Sequence, residues 1–550
     1  MFGNILRRFM NATLTVGTAV CLGSGMAPGW GQASPASRDR DAVGNRWWAH
    51  VATLAADTME GRGTGTAGYD RGSAYVIREF EKLGAEPGGL DGYRQPVAFI
   101  ARTNHPSASS IVLRSPSGEK AIQPGVDAFF QMGCAQAESL EAEAVFVGYG
   151  IVAPEADHDD LRGLDLRGRI AVFLAGGPRS LPDPVKSYVQ LRAERWSRFR
   201  AAGAVGWVAI PNPKDLDWGR YMRPNLGVTL ALADTALEER PGLRFAITVN
   251  PARAPDLFEE SGVDFASLLA LADSGRSLPR FPLAVRIVAR ARYTEKRLSS
   301  DNIVAVISGE DPVLRKESIV LSAHLDHLGI VPQEGDSIMN GAMDNASGVA
   351  VLIEAARELR KDGSRRGRSI VLLANTGEEH GQLGSRYFAM HPPPRVGTIV
   401  ANLNIDMFLP IAAFDRITVF GLDESSLGPM AREVAAPLDF TVQPDPRPRL
   451  NRFIRSDQIS FVRAGIPALA FHSGGVAGSP IESLRTEWAR QRYHAPSDDL
   501  GQPVDRVAAA RFVRFYTALA KAVAAARDRP EWSRGSYFRQ VGRGSDRSRP

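Results

Sequence analysis

Beyond residue 300 the apolar positions fall into short continuous runs separated by longer stretches of helical period. The runs at 303–307, 319–323, 370–374, 399–405 and 468–471 are built mainly of Ile, Val, Leu and Ala. They lack the polar alternation of a half-exposed strand, so they predict strands buried on both faces. Apolar residues at 348–360 and 504–525 recur at helical spacing. Alternation of this kind predicts an α/β fold, a three-layer α/β/α sandwich with a mostly parallel mixed sheet. In such sheets the ligand site lies beyond the carboxyl ends of the strands.

The earlier part of the chain reads differently. A helix is expected around 47–59, followed by the Gly-rich stretch 60–68 and a second helix over 69–83. In the latter, Ala74, Ile77, Phe80 and Leu83 keep helical spacing and Gly84 ends the run. Gly63, Gly65 and Gly68 match the spacing of a dinucleotide fingerprint, but no apolar strand precedes them, so the stretch is read as a loop. From 107 to 292 short β-like runs dominate, at 144–149, 169–174, 206–210 and 245–249, with one helix over 189–202. His158, Asp159 and Asp160 are read there as a solvated loop. The expected organisation is therefore 1–33 signal peptide, 34–110 first part of the α/β domain, 111–295 an inserted β-rich domain, 296–527 the catalytic remainder, and 528–550 a disordered basic tail.

The ends of the chain carry its compositional signals. Arg7 and Arg8 precede an apolar stretch from Phe9 to Met26, and Gly31 and Ala33 precede Ser34. That is the layout of an export signal, and it is short and Gly-rich for a membrane span. The chain is expected in the periplasm or outside a bacterial cell, with no integral membrane segment once the signal is removed. Cys21 falls in the signal, which leaves Cys134 alone, so no internal disulfide is expected and any metal must be held by His and carboxylates. The net charge of +5 is small for 550 residues. Much of it sits in the tail, on Arg527, Arg529, Arg534, Arg539, Arg543, Arg547 and Arg549, which reads as a solvated end and not as a nucleic-acid site.

Candidate chemistry collects at the strand ends. The run 319–323 leads into His324-Leu-Asp326-His327. Two residues apart in extended chain, His324 and Asp326 point the same way, and a ligating imidazole gives its second nitrogen to such a carboxylate. His327 points the other way. Asp344 stands in a Gly-flanked turn before a helix, where it is either a ligand or a helix cap, with Asn345 or Ser347 as the other cap candidates. Glu378 and Glu379 follow an apolar strand, and a metal would offset their repulsion, one binding it while the other handles a proton. Asp406 closes another apolar strand, and His494 sits in a turn before the last helix. Oxygen and nitrogen ligands without thiolate suit Zn2+, with Co2+ or Mn2+ as substitutes. Five ligands exceed one tetrahedral zinc, so two Zn2+ sharing a carboxylate are expected.

As a set, His-x-Asp, Asp-Asn-x-Ser-Gly, Glu-Glu, Asp and a late His resemble the co-catalytic zinc aminopeptidase family of clan MH, which includes the glutamate carboxypeptidase type. The resemblance covers most of the chain after Ser300 and the stretch 60–83. It implies His324, Glu379, Asp406 and His494 as terminal ligands, with Asp344 bridging. It implies Glu378 as general base, Asp326 orienting His324, and a cis peptide at Asp344–Asn345. Many members have His where this chain has Gln458, a position outside the ligand set. Segments 145–150, 164–170 and 200–206 resemble a protease-associated domain. The implied function is a secreted zinc exopeptidase acting on peptides, most simply an aminopeptidase. The alternatives on the same fold are a glutaminyl-cyclase-like acyltransferase and a carboxypeptidase or amidohydrolase.

Overall fold

Ile319, Leu321 and Ala323 bury one face of the strand Glu317–His324, and Val320 buries the other. A strand with apolar side chains on both faces must be covered twice, and this fixes the layering. In the computed structural model, which describes residues 35–541 apart from 215, 362–366, 451 and 477, this strand lies inside a ten-stranded sheet. The sheet runs Val228–Leu232, Arg94–Asn104, Tyr293–Ile307, Ser369–Asn375, Glu317–His324, Thr398–Ile405, Ala468–Gly474, Arg416–Phe420, Thr441–Gln443, with Glu86–Pro87 beside Tyr293–Ile307. Ser369–Asn375, Glu317–His324, Thr398–Ile405 and Ala468–Gly474 are mutually parallel. Antiparallel strands flank this block on both sides.

Helices Pro35–Leu54, Ser347–Lys361 and Arg506–Ala525 cover one face, where Trp47, Val51, Val349, Ile353, Phe512 and Leu519 join the strand residues in one core. Helices Leu383–Met390 and Gln458–Arg463 cover the other, through Phe388 and Phe461. The three-layer α/β/α sandwich expected from the sequence is the fold observed, with every expected strand of the catalytic part in place. Among the described residues no helix is long and apolar enough to cross a membrane.

Eight strands between residues 110 and 290 form a second sheet with its own core. Four expectations change here. The expected helix 189–202 is observed as Arg192–Ala201, starting later because the chain turns extended at Leu191, and a separate helix, Asp183–Val189, precedes it. The insertion does not stand alone over 111–295, since Val228–Leu232 crosses back and pairs with Arg94–Asn104 of the first sheet. Asp160 is buried, accepts from the Ile151 N–H at 3.0 Å and pairs with His158 at 2.9 Å, so this is a structural corner and not a solvated loop. Residues 528–541 are not a loose tail. Trp532 donates to the Gly465 carbonyl at 3.0 Å, and Phe538, 1% exposed, enters the core beside Phe453. Aromatic anchors overrode the Arg-rich composition. The signal segment, Cys21 and the last residues of the basic tail lie outside the described residues.

Glu239 of the insertion clasps the helices Leu383–Met390 and Gln458–Arg463, with Arg386 at 2.5 Å and Arg463 at 2.8 Å. Burial alone would raise its carboxyl, but the two guanidiniums prevail and hold it at about 2. A folded value below the unfolded one gives stability that is present above about pH 4.3 and is lost as pH falls toward 2. Glu239→Gln is therefore expected to lower the unfolding midpoint at pH 7 by about 2–4 °C, the size of a ~1 kcal/mol change in a domain of roughly 150–250 residues. Wild-type and variant midpoints should converge as pH falls toward 2. A pH-independent offset in thermal unfolding would show that the charge contributes nothing.

Candidate metal centre

The carboxyl edge of the parallel block gathers the five side chains. His324 ends its strand, Asp406 follows Ile405, and Glu379 lies just past Asn375. Asp344 comes from the turn before helix Ser347–Lys361, and His494 from the loop after helix Pro480–Gln491. His324 Nε2 lies 3.3 Å from Asp344 Oδ1 and 3.2 Å from Asp406 Oδ1. His494 Nε2 lies 3.3 Å from Asp344 Oδ2 and 3.2 Å from Glu379 Oε2. Each oxygen of Asp344 thus faces a different imidazole, the disposition a bridging carboxylate requires.

Buried polar contacts hold the turn of Asp344 in place. Gly341 opens it in the left-handed region (φ 59°), and a Cβ there would stand 2.2 Å from the Asp344 carbonyl and 2.6 Å from the His327 ring. Only glycine satisfies both demands. The Asp498 carboxylate accepts from the N–H groups of Met343 and Asp344, both at 3.0 Å. Asn345 caps the helix by accepting from Gly348 N at 3.1 Å, and donates to the Ile405 carbonyl beside Asp406 at 2.9 Å. The Asp344–Asn345 peptide is cis. Arg62, from the Gly-rich stretch, is fully buried and donates to the carbonyls of Leu325, Asn340 and Gly341. It ties the His324 and Asp344 segments together, and burial lowers its pKa to about 10.

Two expectations are corrected here. Asp326 does bear on His324, but through its backbone carbonyl, 3.0 Å from Nδ1. Its carboxylate accepts from the N–H groups of Glu378 (3.1 Å) and Glu379 (3.3 Å) and from Thr64 Oγ1 (3.0 Å). The chain leaves the strand at His324, so the side-chain alternation used to pair the two residues ends there. For the same reason His327 does not turn away. Its Nδ1 lies 2.6 Å from Glu379 Oε1. The donor atoms of His324, Asp344 and Asp406 all lie within 4.8 Å of one another, as do those of His327, Asp344 and Glu379.

The charges explain one another. Burial would lower the pKa of His324, yet the carboxylates of Asp406 and Asp344 push it well above 6.5. His494 is raised to about 11, against burial, chiefly by Glu379 and Asp344. Asp344 and Glu379 are held far below the usual carboxylate range, burial being outweighed by these imidazoles. Glu378 behaves oppositely. Burial lifts it well above its ordinary value, and Asp406, Asp457 and Glu379 add to the effect. Gln382 Nε2 donates to its Oε1 at 2.8 Å. Protons on the imidazoles therefore balance the buried carboxylates, and divalent cations replacing those protons would do the same. Imidazole nitrogens and carboxylate oxygens at two adjoining clusters suit zinc.

Residues 302–520, which contain all five side chains and Glu378, match the model of peptidase family M28. Over those residues, about two-fifths of the chain, this protein is similar to peptidase family M28. A probable zinc metalloprotease of Leptosphaeria maculans is 31% identical over 222 residues, 34% of this chain and 48% of that protein. A vacuolar membrane protease of Tuber melanosporum is 25% identical over 203 residues, 36% of this chain and 18% of that protein. The chain thus spans less than half the length of these curated relatives. An aminopeptidase from Aneurinibacillus sp. strain AM-1 superposes with a TM-score of 0.50 at 19% identity, covering 89% of this chain and 97% of that one. This likeness is one of fold. It extends beyond residues 302–520 into the region of the second sheet.

Asp498 was not singled out in the sequence, because an Asp in a loop before a helix has the local look of a cap. In the folded chain it shapes the turn that presents Asp344. Asp498→Ala is expected to weaken metal binding about 10–100-fold, the usual cost of removing a group that holds a ligand in place. Titration against a competing chelator measures this, and unchanged affinity would mean the turn keeps its shape without Asp498.

Proposed function

We propose that this chain is an exported di-zinc aminopeptidase, an exopeptidase that releases residues from the unblocked amino ends of peptides. The observation that carries the reading is the double cluster, His324–Asp344–Asp406 and His494–Asp344–Glu379, with a buried carboxyl, Glu378, beside it. The choice of zinc and of the amino end takes over what the Leptosphaeria relative and the Aneurinibacillus neighbour are called.

His324, Asp344 and Asp406 would hold one ion, and Asp344, Glu379 and His494 the other. Bound there, the ions would supply Lewis acidity toward the scissile carbonyl and a nucleophilic water at neutral pH. The chain's own residues do the remaining work. Glu378 accepts a proton from the attacking water and delivers it to the leaving amine. Gln382 holds one Glu378 oxygen and so fixes where the other points. Asp326 fixes the backbone of the Glu378–Glu379 pair, so base and ligand stay in register. His327 holds the Glu379 oxygen that His494 does not face.

Glu378→Gln is expected to keep two zinc ions per chain while kcat falls about 10²–10⁴-fold. Metal analysis with release of amino acids from unblocked and N-acetylated peptides tests both parts. Cleavage of the acetylated set, or a single zinc per chain, would overturn the aminopeptidase reading. Export rests on the sequence of the first 33 residues. Cell fractionation should find a mature protein outside the cytoplasm that begins near Ser34, and an intact amino terminus in the cytoplasm would refute it.

A further inference from the structure

Beside the proposed metal centre stands a cationic group that the chemistry above does not use. The parallel ladder pairs Ile405 with Phe471, so Asp406 and His472, the next residues, emerge side by side at the same edge. The Asp344 carboxylate is close enough to act on His472 electrostatically. Two arginines act on this histidine, and a third acts on the first of them. Arg485, on helix Pro480–Gln491, which leads into His494, donates from Nη2 to His472 Nδ1 at 3.1 Å. Arg452 lies over the Phe420 ring at 5.1 Å, and Phe420 packs edge-on against His472 with ring centroids 4.8 Å apart. Arg447 completes the group.

Two of the three charges are answered. Arg452 pairs with Asp445, and Arg447 with Glu482 at 2.7 Å. Arg485 has no carboxylate at ion-pair distance among the described residues, and its buried Nε has no hydrogen-bond partner there. Its one partner is an imidazole held neutral, because burial and then Arg485 and Arg452 themselves lower the His472 pKa well below 6.5. Burial likewise lowers Arg485, to about 10, which still leaves it charged at neutral pH. A charged guanidinium with a free buried donor is costly unless an anion completes it. The fork geometry of guanidinium selects a carboxylate. Arg485 and His472 are both partly exposed, so neither side chain is sealed from solvent although Arg485 Nε itself is buried.

We propose that Arg485 is a carboxylate-binding residue of the substrate cleft, selecting peptides that carry a carboxylate next to the bond cleaved. This rests on the peptidase reading and names its substrate class. The carboxylate is either the side chain of a terminal Asp or Glu or the free α-carboxylate of the substrate, and both would dock on the same nitrogen atoms.

The test uses metal-loaded wild-type protein, Arg485→Met and Arg485→Lys, with Glu-Ala-amide, Gln-Ala-amide and Gln-Ala as substrates. In the wild type, one carboxylate-bearing peptide should exceed Gln-Ala-amide in kcat/KM by about tenfold or more, the usual effect of a charge-assisted hydrogen bond. Preference for Glu-Ala-amide identifies the side chain as the source, and preference for Gln-Ala identifies the α-carboxylate. Arg485→Met should bring all three to parity, and Arg485→Lys should keep part of the preference. Wild-type parity, or a preference that survives Arg485→Met, would overturn the proposal. Calorimetric binding of the same peptides decides it independently. If no peptide is hydrolysed the peptidase reading fails. Tighter wild-type binding of a carboxylate-bearing peptide would still support Arg485, and equal binding of all three would sink it. Should Arg485→Met fail to fold, the wild-type and Arg485→Lys comparison carries the same decision.

Discussion

Mutual repulsion among carboxylates is the constraint around which the catalytic layer is organised. Asp344, the adjacent Glu378 and Glu379, and Asp406 come from three segments yet meet at one edge. No apolar packing drives such groups together. The layers on either face of the sheet supply the stability, and the edge is where that stability is spent on an arrangement that favours positive charge. The two imidazoles meet the demand by holding protons far above their ordinary range. A pair of divalent ions is the alternative to those protons, so metal loading and deprotonation are two faces of one equilibrium.

Precision at the edge comes from backbone groups more than from side-chain pairs. Arg62 collects carbonyls from both sides of the site, Asp498 collects N–H groups from the Asp344 turn, and Asp326 collects those of the glutamate pair. Each is a buried charge whose desolvation is offset by several directed hydrogen bonds. The loops of the site are therefore tied down by directed hydrogen bonds, which is what positioning ligand atoms within a fraction of an ångström requires.

Much of this was legible in the sequence. Apolar runs such as 370–374 announce a strand buried on both faces, and the polar residues just after them announce where the site must lie. Side-chain direction was legible only inside the strands. Alternation placed Asp326 beside His324 and turned His327 away, but the strand stops at His324, and past that point period two carries no information. The Gly-rich stretch 60–68, read as a loop, is a turn only over 63–66, between the 3-10 helix Asp57–Arg62 and the helix Ala67–Lys82. That it delivers Arg62 and Thr64 to residues more than two hundred positions away was invisible, because long-range hydrogen bonds leave no local pattern. The Arg-rich stretch after 527 misled for a related reason. Composition averages over a window, whereas Trp532 and Phe538 act as single anchors.

The pairing of Arg94–Asn104 with Tyr293–Ile307 brackets the whole second sheet between two neighbouring strands of the first. During synthesis the β-rich module is complete when its last strand, Phe281–Arg290, emerges, while the first sheet still lacks its parallel centre. The module has its own core and can fold as a unit at that stage. Strand Arg94–Asn104 then waits with an unpaired edge until Tyr293–Ile307 arrives, and the core closes only when helix Arg506–Ala525 docks against Pro35–Leu54. His494 follows all of these strands in the chain, so a nascent chain that ends before it cannot yet bring the five side chains together.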